Sequence, residues 1–337
     1  VTNQLFSGAI GILLLASSIP PAAAQSTVQV YGRIITSLNH TKTGNGASKI
    51  DVEENGSKLG FRGSENLGEG LSTLFGLEMG FDASSGAAIS PAYRNSYVGL
   101  KGGFGTVALG RLDSGTPVRS PIFSQALSII NLAPNDAGAT QIGPNYLNLR
   151  NRTSNAIGYA SPNLANFVVR ARYYLRGQPD NVNLESGGKS LDLGVTYANG
   201  PWRTGLSHGR DSRPGGLLPN EFSSKWQTGL RYDIGWVAPY VLVGRDSYAN
   251  TPASRRNVDY WVLGVKFAHK AHAVVLNVMN RDLQTSLTAD RPKQQLAYTY
   301  ALSKRSELQA FYDHDKVDSS KPGMDKRVFG VGLRHDF

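Results

Sequence analysis

From Thr27 to the last residue, apolar side chains recur at every second position, and that period dictates β-strands with one apolar and one wet face. In VQVYGRII, Val28, Val30 and Ile34 share one parity while Gln29, Tyr31 and Arg33 share the other. LSTLFGLEMGF sets Leu71, Thr73, Phe75, Leu77, Met79 and Phe81 against Ser72, Gly76, Glu78 and Gly80. LDLGVTY, KWQTGLRYD and QLAYTYAL repeat the alternation further along. No stretch after residue 24 carries a helical period, so the expected class is all-β.

The breakers between these strands alternate in length. Short turns fall at 66–70, 102–105, 161–166, 199–201, 233–236, 268–272 and 303–306. Long polar stretches lie near 40–56, 83–92, 112–151, 178–188, 212–223, 248–257, 283–292 and 317–326. Seven short turns, eight long loops and two free ends delimit sixteen strands. A soluble sandwich gives no reason for the two ends of a sheet to differ so regularly. A transmembrane antiparallel β-barrel does, because its rims face different compartments, with short periplasmic turns and long extracellular loops.

Both faces suit that reading. Aromatics recur near strand ends (among them Tyr31, Phe81, Phe104, Phe167, Tyr197, Trp202, Tyr232, Trp236, Phe267 and Phe337), as interface girdles do. The opposite parity carries Arg33, Lys58, Arg62, Lys101, Arg152, Arg170, Arg172, Arg203, Lys225, Arg231, Lys266 and Arg334 against only Glu78, Asp192, Asp233 and Asp336. Burying a dozen cations in a dry core costs several kcal/mol each, so this face is expected to be wet. Hydrophobic content of 40% and mean hydropathy of -0.27 exclude a bundle of membrane helices but suit a barrel, where only alternate residues meet lipid. The net charge of +10 is spread singly along the chain with no run of five like charges, unlike the clustered patches of nucleic-acid binders. With no Cys there are no disulfides, thiolate metal sites or thiol nucleophiles.

Residues 1–24 read as a cleaved export signal. Leu5 to Ala16 is an apolar stretch of h-region length, too short to span a bilayer as a helix. Pro20 and Pro21 follow, then Ala22-Ala23-Ala24 before Gln25, an A-x-A-like cleavage site. The segment has no Lys or Arg and opens on Val1, which a non-Met start codon or a truncated N-terminus explains. The expected mature unit is one barrel domain over 25–337.

Four stretches carry a family resemblance. LGFRGSENLGEGLSTLFGLE (59–78) resembles the second hairpin of Gram-negative general diffusion porins of the neisserial and β-proteobacterial type. SYVGLKGGFGTVALGRLDS (96–114) is similar to the next hairpin and NAIGYASPNLANF (155–167) to the strand and turn beyond the third loop. KRVFGVGLRHDF (326–337) resembles the closing strand, whose terminal pattern, here Val331, Leu333 and Phe337, is like the signal read by the barrel-assembly machinery. The resemblance implies sixteen strands, a homotrimer in outer-membrane lipid and lipopolysaccharide, and a third loop folded inward to narrow a water-filled pore.

Residues 112–151 are the longest loop and are expected to form that constriction. Its acids are only Asp113 and Asp136, offset by Arg119 and Arg150, so small anionic solutes should be favoured. The resemblance maps a constriction arginine onto Arg62 and another onto Arg152. Arg94 ranks lower, because alternation with Val98 and Leu100 turns it outward unless a bulge intervenes. Arg33 and Lys58 join by parity alone. No cofactor is implied.

Other classes fit less well. A barrel enzyme needs a clustered catalytic constellation, yet the six histidines (His40, His208, His269, His272, His314 and His335) fall on separate elements and no G-x-S-x-G occurs. His269 and His272, flanking a turn beside Lys270, make a poor metal site. A substrate-specific channel for a particular anion or sugar stays open as an alternative. A soluble secreted β-sandwich or adhesin is opposed by the loop asymmetry and the terminal aromatic.

Overall fold

A computed structural model describes residues 27–134, 146–176, 188–249 and 256–337. The export segment 1–24, Asp136 and nearly all of the stretch expected as a loop at 178–188 lie outside the described residues.

The first strands are β1 (Thr27–Thr43), β2 (Ser48–Glu54), β3 (Lys58–Gly68), β4 (Leu71–Phe81), β5 (Ala88–Gly102) and β6 (Gly105–Leu112). A helix, α1 (Pro121–Ile129), precedes β7 (Thr153–Ala160), β8 (Phe167–Arg176), β9 (Gly188–Asn199), β10 (Trp202–Ser212) and β11 (Phe222–Tyr232). Then come β12 (Val237–Tyr248), β13 (Asn257–His269), β14 (His272–Arg281), β15 (Lys293–Ala301), β16 (Ser306–Asp315) and β17 (Lys326–Asp336). Apart from β2 and β3, each pairs antiparallel with its neighbours in sequence, and β1 pairs β17 from Arg33↔Asp336 to Thr43↔Lys326, which closes the cylinder. Both β2 and β3 pair with β1, on its two halves, so they are two lengths of one strand and the closed barrel has sixteen.

Outward side chains are apolar and bare. On β1, Val28, Val30, Ile34 and Leu38 are exposed while Ile35, Ser37 and Asn39 between them are buried. The same holds on β4 for Phe75, Leu77 and Met79. A continuous apolar band of this kind is stable only against lipid. At the short-turn rim the rings pair across strands: Phe167 with Tyr197 at 4.6 Å between centroids, Trp202 with Tyr232 at 4.4 Å, Trp236 with Phe267 at 5.8 Å. Phe337 extends the β1–β17 ladder by exchanging backbone hydrogen bonds with Gly32 at 3.0 and 3.1 Å. Its ring occupies the space a Cβ on Gly32 would take, 2.2 Å from the ring Cζ and 2.8 Å from the Lys58 carbonyl, so a larger residue there would displace the terminal ring.

Three expectations need correction. The stretch near 40–56 is not a loop: β1 runs on to Thr43 and β2 answers it from Ser48, since their alternating polar residues still complete a ladder. Tyr31 belongs to no girdle; it follows the inward parity of Arg33, and its hydroxyl donates to Glu78 Oε2 at 3.1 Å. The chain also contains a helix. Ser120 caps α1, its Oγ accepting from the Phe123 N–H at 3.3 Å, Pro121 supplies the preset first turn, and the chain turns extended at Ile130.

Nine residues are too short for a periodic signal, and α1 is held by tertiary burial. Ile122, Phe123, Ala126 and Ile129 pack with Tyr240, Leu242, Tyr260 and Val262 of the barrel's inner wall. Each large apolar side chain so buried is worth roughly 1.5–3 kcal/mol.

Candidate functional site: the lumen beside the inward loop

The described parts of the connection between β6 and β7 fold into the barrel. Gln227 Nε2 donates to the Ile122 carbonyl at 2.7 Å, Arg172 Nη2 to Val118 O at 3.0 Å, and the Tyr240 hydroxyl to Asn131 O at 2.9 Å. On the return leg Lys225 Nζ donates to Leu147 O at 2.7 Å and the Tyr146 hydroxyl to Arg291 O at 2.6 Å. Glycine on the wall permits the close approach. A Cβ on Gly158 would stand 2.7 Å from Val118 Cγ2, and one on Gly205 2.9 Å from Gln125 Cγ.

Not every inward cation is wet. Arg172 and Lys225 are fully buried beneath this loop, with Lys225 Nζ 2.7 Å from Asp246 Oδ1. Desolvation is tolerable because each donates to carbonyls or a carboxylate. Arg150 pins the loop likewise, with Nη1 3.0 Å from Asp192 Oδ1 and Nη2 bonded to Asp211. Burial works against its charge, but Asp192, Tyr174 and Asp211 together outweigh it and hold the pKa above the ordinary arginine value.

Across the lumen a basic wall gathers around one carboxylate. Glu78, fully buried, accepts from Arg94 Nε at 2.9 Å and Lys58 Nζ at 2.8 Å, besides Tyr31. Arg62 lies with its guanidinium 4.7 Å from the Tyr31 ring centroid, and its Nε donates to Gln29 Oε1 at 2.9 Å. Asp113, at the start of the inward loop, accepts from Asn95 Nδ2 at 3.1 Å and the Gly115 N–H at 2.7 Å. Arg94 Nε and Arg152 Nε stand 3.9 and 3.8 Å from its Oδ2. Burial, and then the charge of Arg94, lower the pKa of Arg152 from its usual value; a guanidinium remains cationic regardless. A cavity of about 420 Å³ opens beside the group, lined in part by Lys58, Arg62, Glu78 and Gly115.

Arg62, Arg94, Arg152, Lys58 and Asp113 therefore share one patch. Arg94 gets there by a device that alternation hides: Glu78 faces Asn95 but Met79 faces Tyr93, and the extra residue of this bulge turns Arg94 into the lumen. Arg33 borders the same cavity but is neutralised by Asp336, 2.6 Å from its Nε. Val331, Leu333 and Phe337 are exposed on the outer face of the closing strand. Sequence reasoning missed Tyr31 and Glu78 as organisers of the patch; their shared parity with Arg33 and Arg62 was the available signal. Among the described residues no group of three or more His, Asp or Glu side chains is placed to hold a metal.

Known proteins resemble this molecule over most of its length. An outer membrane porin protein of Bordetella pertussis is 24% identical across 96% of this chain and 98% of its own. Outer membrane porin protein 32 of Delftia acidovorans is 29% identical across 89% of this chain and 86% of its own. The major outer membrane protein P.IB of Neisseria gonorrhoeae is 31% identical, over 56% of this chain and 53% of that protein. Among solved structures, an anion-selective porin from Comamonas acidovorans has the same fold, with a TM-score of 0.68 at 22% identity over 93% of this chain and 100% of that one. The trimer form of OmpT from Vibrio cholerae gives 0.67 at 15% identity over 93% and 99%. A family model described as Gram-negative porin matches residues 9–320, and the chain accordingly belongs to that family of channel-forming barrels of the bacterial outer membrane.

Proposed function

We propose that the barrel passes small hydrophilic solutes with a preference for anions, set by Arg62, Arg94, Arg152 and Lys58. The supporting observation is the imbalance of the lumen patch: four cations there meet only two carboxylates, Glu78 and Asp113. In a narrow passage with low-dielectric walls, a net field of this sign raises local anion concentration, while conduction requires that each anion be held loosely enough to leave. That Delftia and Comamonas counterparts are called porin and anion-selective porin supports the same reading. Asp136, an acid of the same connection in sequence, is kept in the proposed site as a residue for mutagenesis.

The test is the reversal potential of the purified protein in a planar bilayer under a KCl gradient. A chloride-side potential that falls in Arg62→Gln supports the assignment; a value unchanged by the substitution removes Arg62 from the site.

The reading extends to how the protein reaches its place. Residues 1–24 are removed on export and 25–337 form one barrel domain, handed to the assembly machinery through Val331, Leu333 and Phe337. The assembled form is a homotrimer in lipopolysaccharide-bearing lipid, as the trimer form of OmpT suggests by its likeness. The chemistry is passive throughout; no catalytic role is assigned.

A further inference from the structure

A second polar cavity, of about 400 Å³, is lined by Asn148, Arg150, Asp211, Phe222, Tyr248 and Arg281. Its volume is at the lower end of ligand clefts, roughly 300–1,000 Å³. It sits over the return leg of the inward loop, where β10, β11, β12 and β14 end on the long-loop side.

Three features mark it as built. The first is a bulge. Phe222 pairs with Tyr248 but Ser224 pairs with Ser247, so one extra residue turns Phe222 off its outward parity and into the lumen. There it meets Tyr248 edge-on at 5.9 Å between centroids. An aromatic at this height would otherwise face outward, as Trp226 on the same strand does.

The second is an open donor. Arg281 is 8% exposed and its Nη2 donates to Asp246 Oδ2 at 2.6 Å. The Tyr248 hydroxyl also hydrogen-bonds the guanidinium, while the buried Nη1 has no close partner of its own among the described residues. A buried guanidinium nitrogen left open costs about 1–3 kcal/mol or more, a cost an incoming acceptor removes.

The third is charge balance. Arg150, Arg281 and the neighbouring Lys225 are answered by Asp192, Asp211 and Asp246. An ion is therefore not held here by net field, as it is at the basic wall, and discrimination falls to shape and to the single open donor.

We propose that this vestibule pocket is a transient binding site for planar organic monocarboxylates of the benzoate class. The carboxylate accepts from Arg281 Nη1 and the ring packs against Phe222 and Tyr248, before passage to the basic wall. The inference rests on the reading of the barrel as an anion-preferring pore, which it refines from charge to chemical class. Inorganic anions have no use for the two rings, and a sugar leaves the guanidinium without a charged acceptor.

The experiment is a saturation-transfer NMR titration of the detergent-folded full chain with sodium benzoate, sodium acetate, glucose and inorganic phosphate. Benzoate should bind about fivefold more tightly than acetate, from the aromatic contact. Phe222→Leu should bring benzoate to the acetate level. Arg281→Lys, which keeps a cation beside Asp246 but removes the second nitrogen, should weaken benzoate by about tenfold. Acetate, glucose or phosphate binding as tightly as benzoate overturns the proposal, as does a Phe222→Leu barrel that binds benzoate unchanged. The comparison among the four ligands on the unmodified protein decides the matter even should a variant fail to fold. The KCl reversal potential of the unmodified barrel reports separately on anion preference, so the two readings fail independently.

Discussion

Glu78 illustrates how one buried carboxylate sets the geometry of a cationic surface. Its two oxygens take Arg94 on one side and Lys58 with Tyr31 on the other, and Tyr31 in turn offers its ring to Arg62. The acid thus lowers the local charge while fixing where the remaining charge points. Glu78→Gln separates the two roles. Loss of one of two carboxylates against four cations should move the KCl reversal potential further toward chloride. Lys58 and Arg94 are largely buried, with side-chain exposures of 19% and 11%, so unpairing them should also destabilise the barrel, on the order of 3 kcal/mol. Bilayer recording checks the first effect and a thermal midpoint in detergent the second; a reversal potential moved toward potassium contradicts the assignment. Arg94 is also where reading by alternation reaches its limit. A bulge shifts parity by one residue at the cost of a single unpaired position, and nothing in the local composition announces it.

The inward loop shows what holds an irregular element inside a pore. Its helix buries an apolar face on Tyr240, Leu242, Tyr260 and Val262, wall residues that an aqueous lumen would not favour. Gly158 meets the loop from beneath, with Val118 and Leu112 filling the space of its missing side chain. Gly158→Val should force those side chains away from the wall, costing about 1–3 kcal/mol in overpacking. Away from the wall means toward the pore axis, so single-channel conductance should fall; a rise would mean the loop detaches instead. Ser120→Ala removes only the cap, about 1 kcal/mol, and should leave conductance near that of the parent. Much of this scale was legible in the amino-acid order. All seven short turns lie where breakers interrupt the two-residue period, because a strand facing lipid on one side and water on the other cannot hide its register. What stayed hidden depends on tertiary contact: a nine-residue helix formed against the wall, and cations such as Lys225 that alternation sends inward but the loop then covers.

At the scale of the whole barrel, the question is how far a wall charge is felt by an ion that does not touch it. The cavity beside the basic wall, about 420 Å³, is roughly 7–8 Å across if taken as equant. Screening length is about 10 Å at 0.1 M salt and about 3 Å at 1 M. In dilute salt an ion anywhere in this cavity therefore lies inside the field of Arg62, Lys58 and their neighbours; in concentrated salt only ions against the wall do. At a fixed concentration ratio, the chloride preference should be largest when both compartments are dilute, and should decline steadily as their mean concentration rises toward 1 M. In Arg62→Gln the dilute-salt value should be lower and the decline shallower, because part of the long-range contribution has been removed. Reversal potentials measured at a constant tenfold gradient across this range provide the test. A preference that does not vary with salt would assign selectivity to contact binding or to size, and would move the search for its origin from the net charge of the wall to the individual donors that line it.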